Sequence, residues 1–263
     1  MEALFSFFVF IFGLFVGSFL NCVIYRLEKE ESFLRGRSSC PNCKHNLAWY
    51  DLIPVFSFLI LKGKCRYCHK RISFQYPLVE LANGFLFFLV FQFLFLNNNS
   101  DFGIRILDFV FYLFISSILL VIFVYDFKYY LVPSKITIPA ILLSFFYRLF
   151  EFLKFHQFSF VEIILAIVPA LFFLLIAIIS QEKWMGKGDF EVAMLMGFVL
   201  LWPKILLAIF LSFFFGAIIG LGLIVVKKKE WKSEIPFAPF LVFSTFLILF
   251  LGEKLIYYLS FIL

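Results

Sequence analysis

Long, continuously apolar runs separated by short polar segments dominate this chain. They lie at residues 3–25, 77–97, 104–125, 136–150, 160–180, 190–202, 205–226 and 235–252. A transmembrane β-strand would alternate apolar and polar positions, and these runs do not. Most of them reach the roughly 20 residues that a helix needs to cross a bilayer. The pattern therefore predicts an all-α, polytopic membrane protein of about eight transmembrane helices, with the runs at 136–150 and 190–202 short enough to need support from their neighbours.

Composition agrees with a membrane protein and leaves nucleic acid without support as a partner. The chain has 263 residues, of which 63% are hydrophobic, and its net charge of +6 is expected of a protein that collects Lys and Arg on one membrane side. The first run lacks a basic segment before it and a small-residue cleavage site, so we expect it to be retained. The predicted organisation is a first transmembrane helix at 1–25, a polar insert at 26–76 and a multi-span domain at 77–263.

Basic residues predict the orientation. Most Lys and Arg lie in the insert, or in segments that share its membrane side, namely Lys128, Lys135, Lys183, Lys187 and the run 227–232. The opposite side receives Arg105, Arg148, Lys154, Lys204 and Lys254. The positive-inside rule then places the insert in the cytoplasm and the N-terminus outside. An even number of spans places the C-terminus outside as well.

Two carboxylates border the apolar runs on the predicted cytoplasmic side. Asp126 ends one run, and Asp189 lies in the polar tetrapeptide Gly186-Lys187-Gly188-Asp189. Carboxylates next to hydrocarbon are costly, which favours a functional role. If they meet, the pair would share one proton, so that one acid could activate water while the other polarises a carbonyl group. The simpler alternatives are a solvated helix-end acid at Asp126, paired with Lys128, and an N-cap at Asp189.

The insert carries two Cys-X-X-Cys motifs, formed by Cys40 with Cys43 and by Cys65 with Cys68. Two such pairs supply the four thiolates of a closed tetrahedral zinc site, which leaves no open position for substrate and is therefore structural. Disulfides are the alternative, and a reducing cytosol disfavours them. His45 and His69 flank the motifs and are expected to be ordinary exposed histidines. Cys22, in the first run, is expected to be a packing residue.

Taken in order, these stretches resemble the type IV prepilin peptidases, a family of GxGD intramembrane aspartyl proteases. The resemblance rests on Gly17–Leu27, on the insert through Tyr76–Glu80 and Gly84, on Asp126 followed by Pro133, and on Gly186–Asp189. A weaker likeness covers Pro236–Phe240. The chain departs from the family pattern at Glu28, where proline is common, at Ser134, where an acid is common, and at Ala238, where glycine is common.

The resemblance implies that Asp126 and Asp189 are catalytic, with Gly186, Lys187, Gly188 and Pro133 supporting the motifs. It implies cleavage of the basic leader of prepilin or pseudopilin substrates at the cytoplasmic face of the bacterial inner membrane. Family members with the cysteine insert also methylate the new N-terminus, using S-adenosylmethionine. Candidate residues for the substrate or methyl-donor site are Glu80, Gly84, Asn21 and Arg26. Their simpler roles are a helix first-turn acid at Glu80, an interhelical hydrogen bond at Asn21 and an interface anchor at Arg26.

Two other functions compete with this interpretation. A transporter would also place acids in its spans and could carry a zinc-stabilised insert. Against it, both acids lie at one membrane border, and no paired broken helices mark a site at the bilayer midplane. A presenilin-like GxGD protease would share Gly186–Asp189 but would lack the paired cysteine motifs and the Gly17–Leu27 stretch.

Overall fold

A computed structural model describes residues 2–32, 36–96, 102–155, 159–226 and 235–262. In these ranges the chain forms helices, and the only strand-like pairing is two isolated bridges, Ser39 with Asn46 and Lys64 with Arg71. A 3-10 helix spans Trp49–Leu52. The α-helices are α1 Glu2–Glu28, α2 Phe56–Ile60, α3 Gln75–Leu96, α4 Phe102–Tyr129, α5 Ser134–Phe155, α6 Phe160–Ile179, α7 Lys187–Leu200, α8 Lys204–Val225 and α9 Ala238–Ile262.

The helical membrane fold is confirmed. Seven helices in the described ranges are long and apolar enough to cross a membrane, which are α1, α3, α4, α5, α6, α8 and α9. The expected short span at 136–150 was wrong, because α5 has 22 residues. Its buried Thr137, Ser144, Arg148 and Glu151 broke the apolar pattern in the sequence without ending the helix. The expected short span at 190–202 corresponds to α7, which has 14 residues. Arg35 and the basic run at 227–232 lie outside the described residues.

The chain divides into two compact units, Met1–Val121 and Ile122–Leu263. In the first unit, α1 and α3 pack at very short range through glycine. A Cβ atom on Gly13 would lie 2.7 Å from Gly84 Cα, and one on Gly17 would lie 2.7 Å from Glu80 Cα. The buried Asn83 donates through Nδ2 to the carbonyl oxygen of Gly13 at 2.8 Å. Small residues and interhelical amide bonds are the usual means of tight helix packing in lipid.

In the second unit, the short helix α7 contacts α5, α6 and α9 and is buried over most of its length. Gly197 allows the closest approach, since a Cβ atom there would overlap the carbonyl oxygen of Ala166 on α6. Phe198 and Leu201 pack with Ile163 and Ala166 in a hydrophobic cluster at the same end. A helix enclosed in this way is a rigid support for any side chain that it carries.

Candidate active site

Asp189 lies in the first turn of α7. The N-cap position is Gly186, which has an extended backbone. The carboxylate of Asp189, three residues after Gly186, accepts the backbone N–H of Gly186. The N-cap alternative for Asp189 is therefore wrong. An acid in the first turn is stabilised by the positive end of the helix dipole. The side chain of Lys187 is exposed and forms an ion pair with Glu182.

Asp126 lies one turn before the end of α4 and is only 5% exposed. Its carboxylate accepts the N–H of Ala238, the first residue of α9. The alternative of a solvated helix-end acid is therefore wrong for this residue. Lys128 is exposed, and its ammonium lies 4.7 Å from the ring centroid of Tyr129. The first turn of α9 thus supplies a hydrogen-bond donor that keeps Asp126 in place.

The structure brings the two acids close enough for the charge of Asp126 to act on Asp189. The segment that follows α4 packs directly on the start of α7. A Cβ atom on Gly188 would lie 2.6 Å from Cγ2 of Val132, so only glycine fits there without a shift. The carbonyl oxygen of Pro133 accepts the N–H groups of Ile136 and Thr137, which begins α5 immediately after this contact.

A polar contact that the sequence did not predict lies beside the acids. Ser134 donates through Oγ to Oε1 of Glu191 at 2.8 Å, which ties the start of α5 to the second turn of α7. The second carboxylate oxygen of Glu191 is buried and has no hydrogen-bond partner among the described residues. The sequence marked Ser134 only as a departure from a family pattern. Nothing in a single sequence could pair it with a residue 57 positions away.

The four cysteines of the insert form one group, with their sulfur atoms all within 4.8 Å of one another. Cys40 Sγ and Cys68 Sγ, from different motifs, lie 4.0 Å apart. All four are free thiols, so the disulfide alternative is not what the structure contains. His45 and His69 lie outside this group, as expected, and the His45 ring stacks on Tyr67 at 3.7 Å. The donor set is that of a four-thiolate metal site.

The two motifs have the same backbone geometry, which the sequence did not reveal as a repeat. In the first, the N–H of Cys40 donates to the His45 carbonyl and the N–H of Lys44 donates to the Cys40 carbonyl. In the second, the N–H of Cys65 donates to the Lys70 carbonyl and the N–H of His69 donates to the Cys65 carbonyl. Lys44 and His69 both have positive φ, at 60° and 57°. Two matched knuckles therefore face each other across the sulfur atoms.

The thiols differ in electrostatic environment. Burial raises the pKa of Cys40, but hydrogen bonds from the backbone of Cys43 and Asn42 and from neighbouring thiols outweigh it and lower the pKa to about 7. At Cys68 the backbone N–H of Lys70 lowers the pKa, yet burial and hydrogen bonds to the other thiols raise it to about 11. Hydrogen bonds from its neighbours therefore stabilise the thiolate form of Cys40, and the thiolate is the form of cysteine that binds metal.

The four remaining candidate residues lie in the first unit, where their contacts join α1, α3 and the insert. Asn21 donates to the carbonyl oxygen of Tyr76 at 3.0 Å, and Arg26 donates to the carbonyl oxygens of Ser32 and Arg37. Glu80 is the sixth residue of α3, beyond its first turn, and accepts the N–H of Val55 at 2.7 Å. A Cβ atom on Gly84 would lie 2.8 Å from the Leu14 side chain. Asn21 Oδ1 is buried and finds no hydrogen-bond partner within the part of the chain that the structure describes.

Comparison with known proteins identifies two family models. One, described as the bacterial peptidase A24 N-terminal domain, matches residues 11–94, and the other, described as the type IV leader peptidase family, matches residues 113–221. The first match covers most of α1, the cysteine insert and most of α3. The second contains both acids. No solved structure matches the chain.

Curated relatives cover nearly the whole chain. A protein of Bacillus subtilis (strain 168) named prepilin leader peptidase/N-methyltransferase is 32% identical over 254 residues, which are 94% of this chain and 95% of the relative. The protein of that name from Aeromonas salmonicida (strain A449) is 29% identical over 97% of this chain and 94% of its own length. The one from Myxococcus xanthus (strain DK1622) is 55% identical over 85 residues, which are 32% of this chain and 25% of the relative. The chain is thus a multi-pass inner-membrane peptidase and belongs to the type IV leader peptidase family.

Proposed function

We propose that this protein removes the leader of type IV prepilin-like substrates and that Asp126 and Asp189 are its catalytic pair. The observation that carries the proposal is that the charge of Asp126, largely buried in α4, acts on Asp189 at the start of α7. Each acid also accepts a backbone N–H, from Ala238 and from Gly186, which limits its motion. Fixed position and mutual charge are what a proton-sharing pair requires.

Hydrolysis then follows the chemistry of a coupled carboxyl pair. The ionised acid takes a proton from water, whose oxygen attacks the carbonyl carbon of the scissile peptide bond. The protonated acid donates to the carbonyl oxygen, and a proton then moves to the leaving nitrogen as the C–N bond breaks. The two acids exchange roles, so neither Asp126 nor Asp189 is assigned to one of them.

The start of α7 also suits an extended substrate. A peptide bond inside a helix is already hydrogen-bonded, so the substrate must present an unwound segment to the acids. Gly186 has an extended backbone, and a Cβ atom there would meet only the backbone nitrogen of Gly188 at 3.9 Å, which leaves room for a substrate backbone near Asp189. Lys187 supports the motif through its ion pair with Glu182 in the preceding segment, and Pro133 supports it by starting α5.

We assign the acids to the cytoplasmic face, with the N-terminus outside. The contacts of α7 support an even number of crossings, because both of its ends contact α5. Glu191, in the second turn of α7, accepts from Ser134 at the start of α5, and Arg148, about two turns before the end of α5, bonds Phe198 and Val199 in the last turn of α7. With seven long helices and α7, the number of crossings is even, and both chain ends lie outside. The start of α9 lies beside Asp126, which agrees with this path.

We also propose that the protein methylates the N-terminal amine that cleavage creates. The relatives named above carry N-methyltransferase in their names. When bound, S-adenosylmethionine supplies an electrophilic methyl group. Glu80, Gly84, Asn21 and Arg26 are the candidate residues for its site or for leader binding. The buried, unpartnered Oδ1 of Asn21 supports a ligand there, because such an acceptor is costly unless something donates to it.

The metal of the cysteine group is proposed to be zinc, with a structural role. Four thiolates in two knuckles leave no open coordination position, so the ion would fix the insert rather than act on substrate. The purified protein should contain about one zinc per chain, and Cys40→Ser with Cys65→Ser should remove it. Cys22→Ser, outside the group, is the matched control. A fully active protein with no bound metal would contradict this assignment.

The decisive assay uses purified protein in detergent and a synthetic prepilin-like peptide. Mass spectrometry should detect loss of the leader, followed by one methyl increment when S-adenosylmethionine is added. Asp189→Asn serves as the inactive control in the same preparation. If the wild-type protein leaves the peptide intact but mediates solute uptake in proteoliposomes, the peptidase proposal fails and the transporter alternative replaces it.

A further inference from the structure

The cysteine insert has a large exposed apolar face that its metal site does not explain. Four side chains between the two knuckles are 60–77% exposed, and we refer to them as the apolar face, namely Trp49, Phe56, Leu59 and Ile60. Phe74, just before α3, is exposed to a similar extent. Phe56, Leu59 and Ile60 lie on one side of α2, at spacings of three and four residues. Phe58, on the other side, packs against Phe74 and Gly63. Apolar side chains clustered in water mark an interaction surface.

The position of α2 in the fold indicates what covers this face. The N–H of Val55, the residue before α2, donates to the carboxylate of Glu80 at 2.7 Å. Glu80 is buried near the start of α3, which is one of the membrane-spanning helices. Phe74 directly precedes the first residue of α3. The apolar face is therefore held at the level where α3 enters the bilayer.

The charge of the insert complements a lipid surface. Between residues 36 and 79, Asp51 is the one acidic side chain in the sequence, and it is paired with Arg66 at 2.8 Å. Lys62, Lys64, Lys70 and Arg71 lie around α2 and the second knuckle. Anionic lipid headgroups attract such basic residues, and aromatic residues such as tryptophan favour the same interfacial region.

We propose that the apolar face is a membrane-docking surface, with α2, Trp49 and Phe74 inserted into the headgroup region of the leaflet that α3 enters. The partner is the lipid bilayer itself, and docking holds the two cysteine knuckles against the membrane surface. Because the proposal needs only α1 and α3 to be inserted, it stands or falls independently of peptidase activity.

The test uses Trp49 as a reporter in the full-length protein, with Trp184, Trp202 and Trp231 replaced by phenylalanine. The protein is reconstituted in phosphatidylcholine–phosphatidylglycerol vesicles that carry bromine at shallow or deep acyl positions. Shallow bromine should lower Trp49 emission by about twofold or more, and deep bromine should lower it less. In the matched control, Trp49→Phe with Asn42→Trp moves the reporter to an exposed knuckle position, where quenching should be weak.

A triple variant tests the face directly. Replacing Phe56, Leu59 and Ile60 by serine should abolish quenching at Trp49, while metal content shows that the knuckles still fold. The proposal is overturned if Trp49 in the native face is not quenched by shallow bromine. It is also overturned if the fluorescence emission of Trp49 does not respond to lipid and changes only when a prepilin-like peptide is added. That result would make the face a substrate-binding surface.

Discussion

At the scale of single residues, Asp126 and Asp189 are held by different parts of the chain. Asp126, in α4, is buried and accepts a hydrogen bond from a backbone N–H at the start of α9. Asp189 accepts one from the backbone N–H of Gly186, the N-cap of its own helix. Gly188 then brings Val132, which follows α4, against the start of α7. The proximity of the acids depends on this packing, so it is sensitive to changes that leave both carboxylates intact.

Replacing either acid by its amide should abolish cleavage. Asp126→Asn and Asp189→Asn each remove one proton-transfer group at almost constant size, and we expect rates to fall by at least about 10³-fold. The measurement is leader loss from a prepilin-like peptide, by mass spectrometry. Asp108→Asn, a change to another acid of α4, is the matched control and should retain activity. Substantial cleavage by either of the first two variants would exclude the proposed pair.

At the scale of elements, α7 is positioned at both ends by α5. Ser134, at the start of α5, donates to Glu191 in the second turn of α7. In its last turn, the guanidinium of Arg148 donates to the carbonyl oxygens of Phe198 and Val199 at 2.8 and 2.7 Å, and also to Glu151 at 2.6 Å. The last carbonyls of a helix lack partners within it, and a cation there is favoured by the helix dipole. Arg148 thus caps the helix that carries Asp189.

Arg148→Met should destabilise the protein strongly. It would remove the guanidinium that pairs with the buried Glu151 and would uncap α7, which we expect to cost about 3–5 kcal/mol. The measurement is the thermal unfolding midpoint in detergent. Lys154→Met is the matched control, since it removes an exposed cation from the same end of α5, and should change little. Equal midpoints for the two variants would show that the buried pair does not stabilise the fold.

The close contact between α6 and α7 permits a second test at this scale. In Gly197→Ala the new methyl group would overlap the backbone carbonyl of Ala166, so the helices must separate at a cost of about 1–3 kcal/mol. Gly222→Ala, in α8, is the control, because a Cβ atom there meets no other atom within 4 Å. Thermal midpoints should fall only for Gly197→Ala, and a matching fall in the control would point to a general effect of removing helical glycine.

At the scale of the whole molecule, the parity of the membrane crossings depends on whether the short helix α7 crosses. Its 14 residues rise by about 21 Å, less than the hydrocarbon core, and its contacts run from Ser134 at the start of α5 to Arg148, about two turns before the end of α5. We propose that enclosure by α5, α6 and α9 lets a helix of this length cross, because its ends need not reach lipid headgroups directly.

Reporter fusions should reveal an even number of crossings. Green fluorescent protein, which fluoresces only in the cytoplasm, should be bright when fused after residue 226 and dark when fused after Leu263. Alkaline phosphatase, which is active only outside, should give the opposite pattern at the same two positions. Cytoplasmic signals from both fusion sites would mean that α9 does not cross outward, and the proposed orientation would be wrong.

The sequence by itself determined the class of fold and the motifs, and it predicts the membrane side of the polar segments. These are local properties of the chain. The length of an apolar run predicts a membrane span, the spacing of the thiols predicts a metal site, and the positions of Asp126 and Asp189 predict charges that are costly next to hydrocarbon. The length of α5 was misjudged for the same reason, because a local scan treats Arg148 and Glu151 as the end of an apolar run. Arg148 and Glu151 pair with each other, and Arg148 also donates to the carbonyl oxygen of Phe198 in α7.

Tertiary structure alone decided which residues meet. The Ser134–Glu191 bond, the donation from Ala238 to Asp126 and the matching geometry of the two knuckles depend on helices packing across long separations in sequence. A hydrogen bond of this kind leaves no periodic trace in one chain, since either partner could be satisfied elsewhere or by water. The residue types indicated the proposed chemistry of a carboxyl pair. The arrangement of Asp126 and Asp189 exists only once α7 is enclosed by its neighbours.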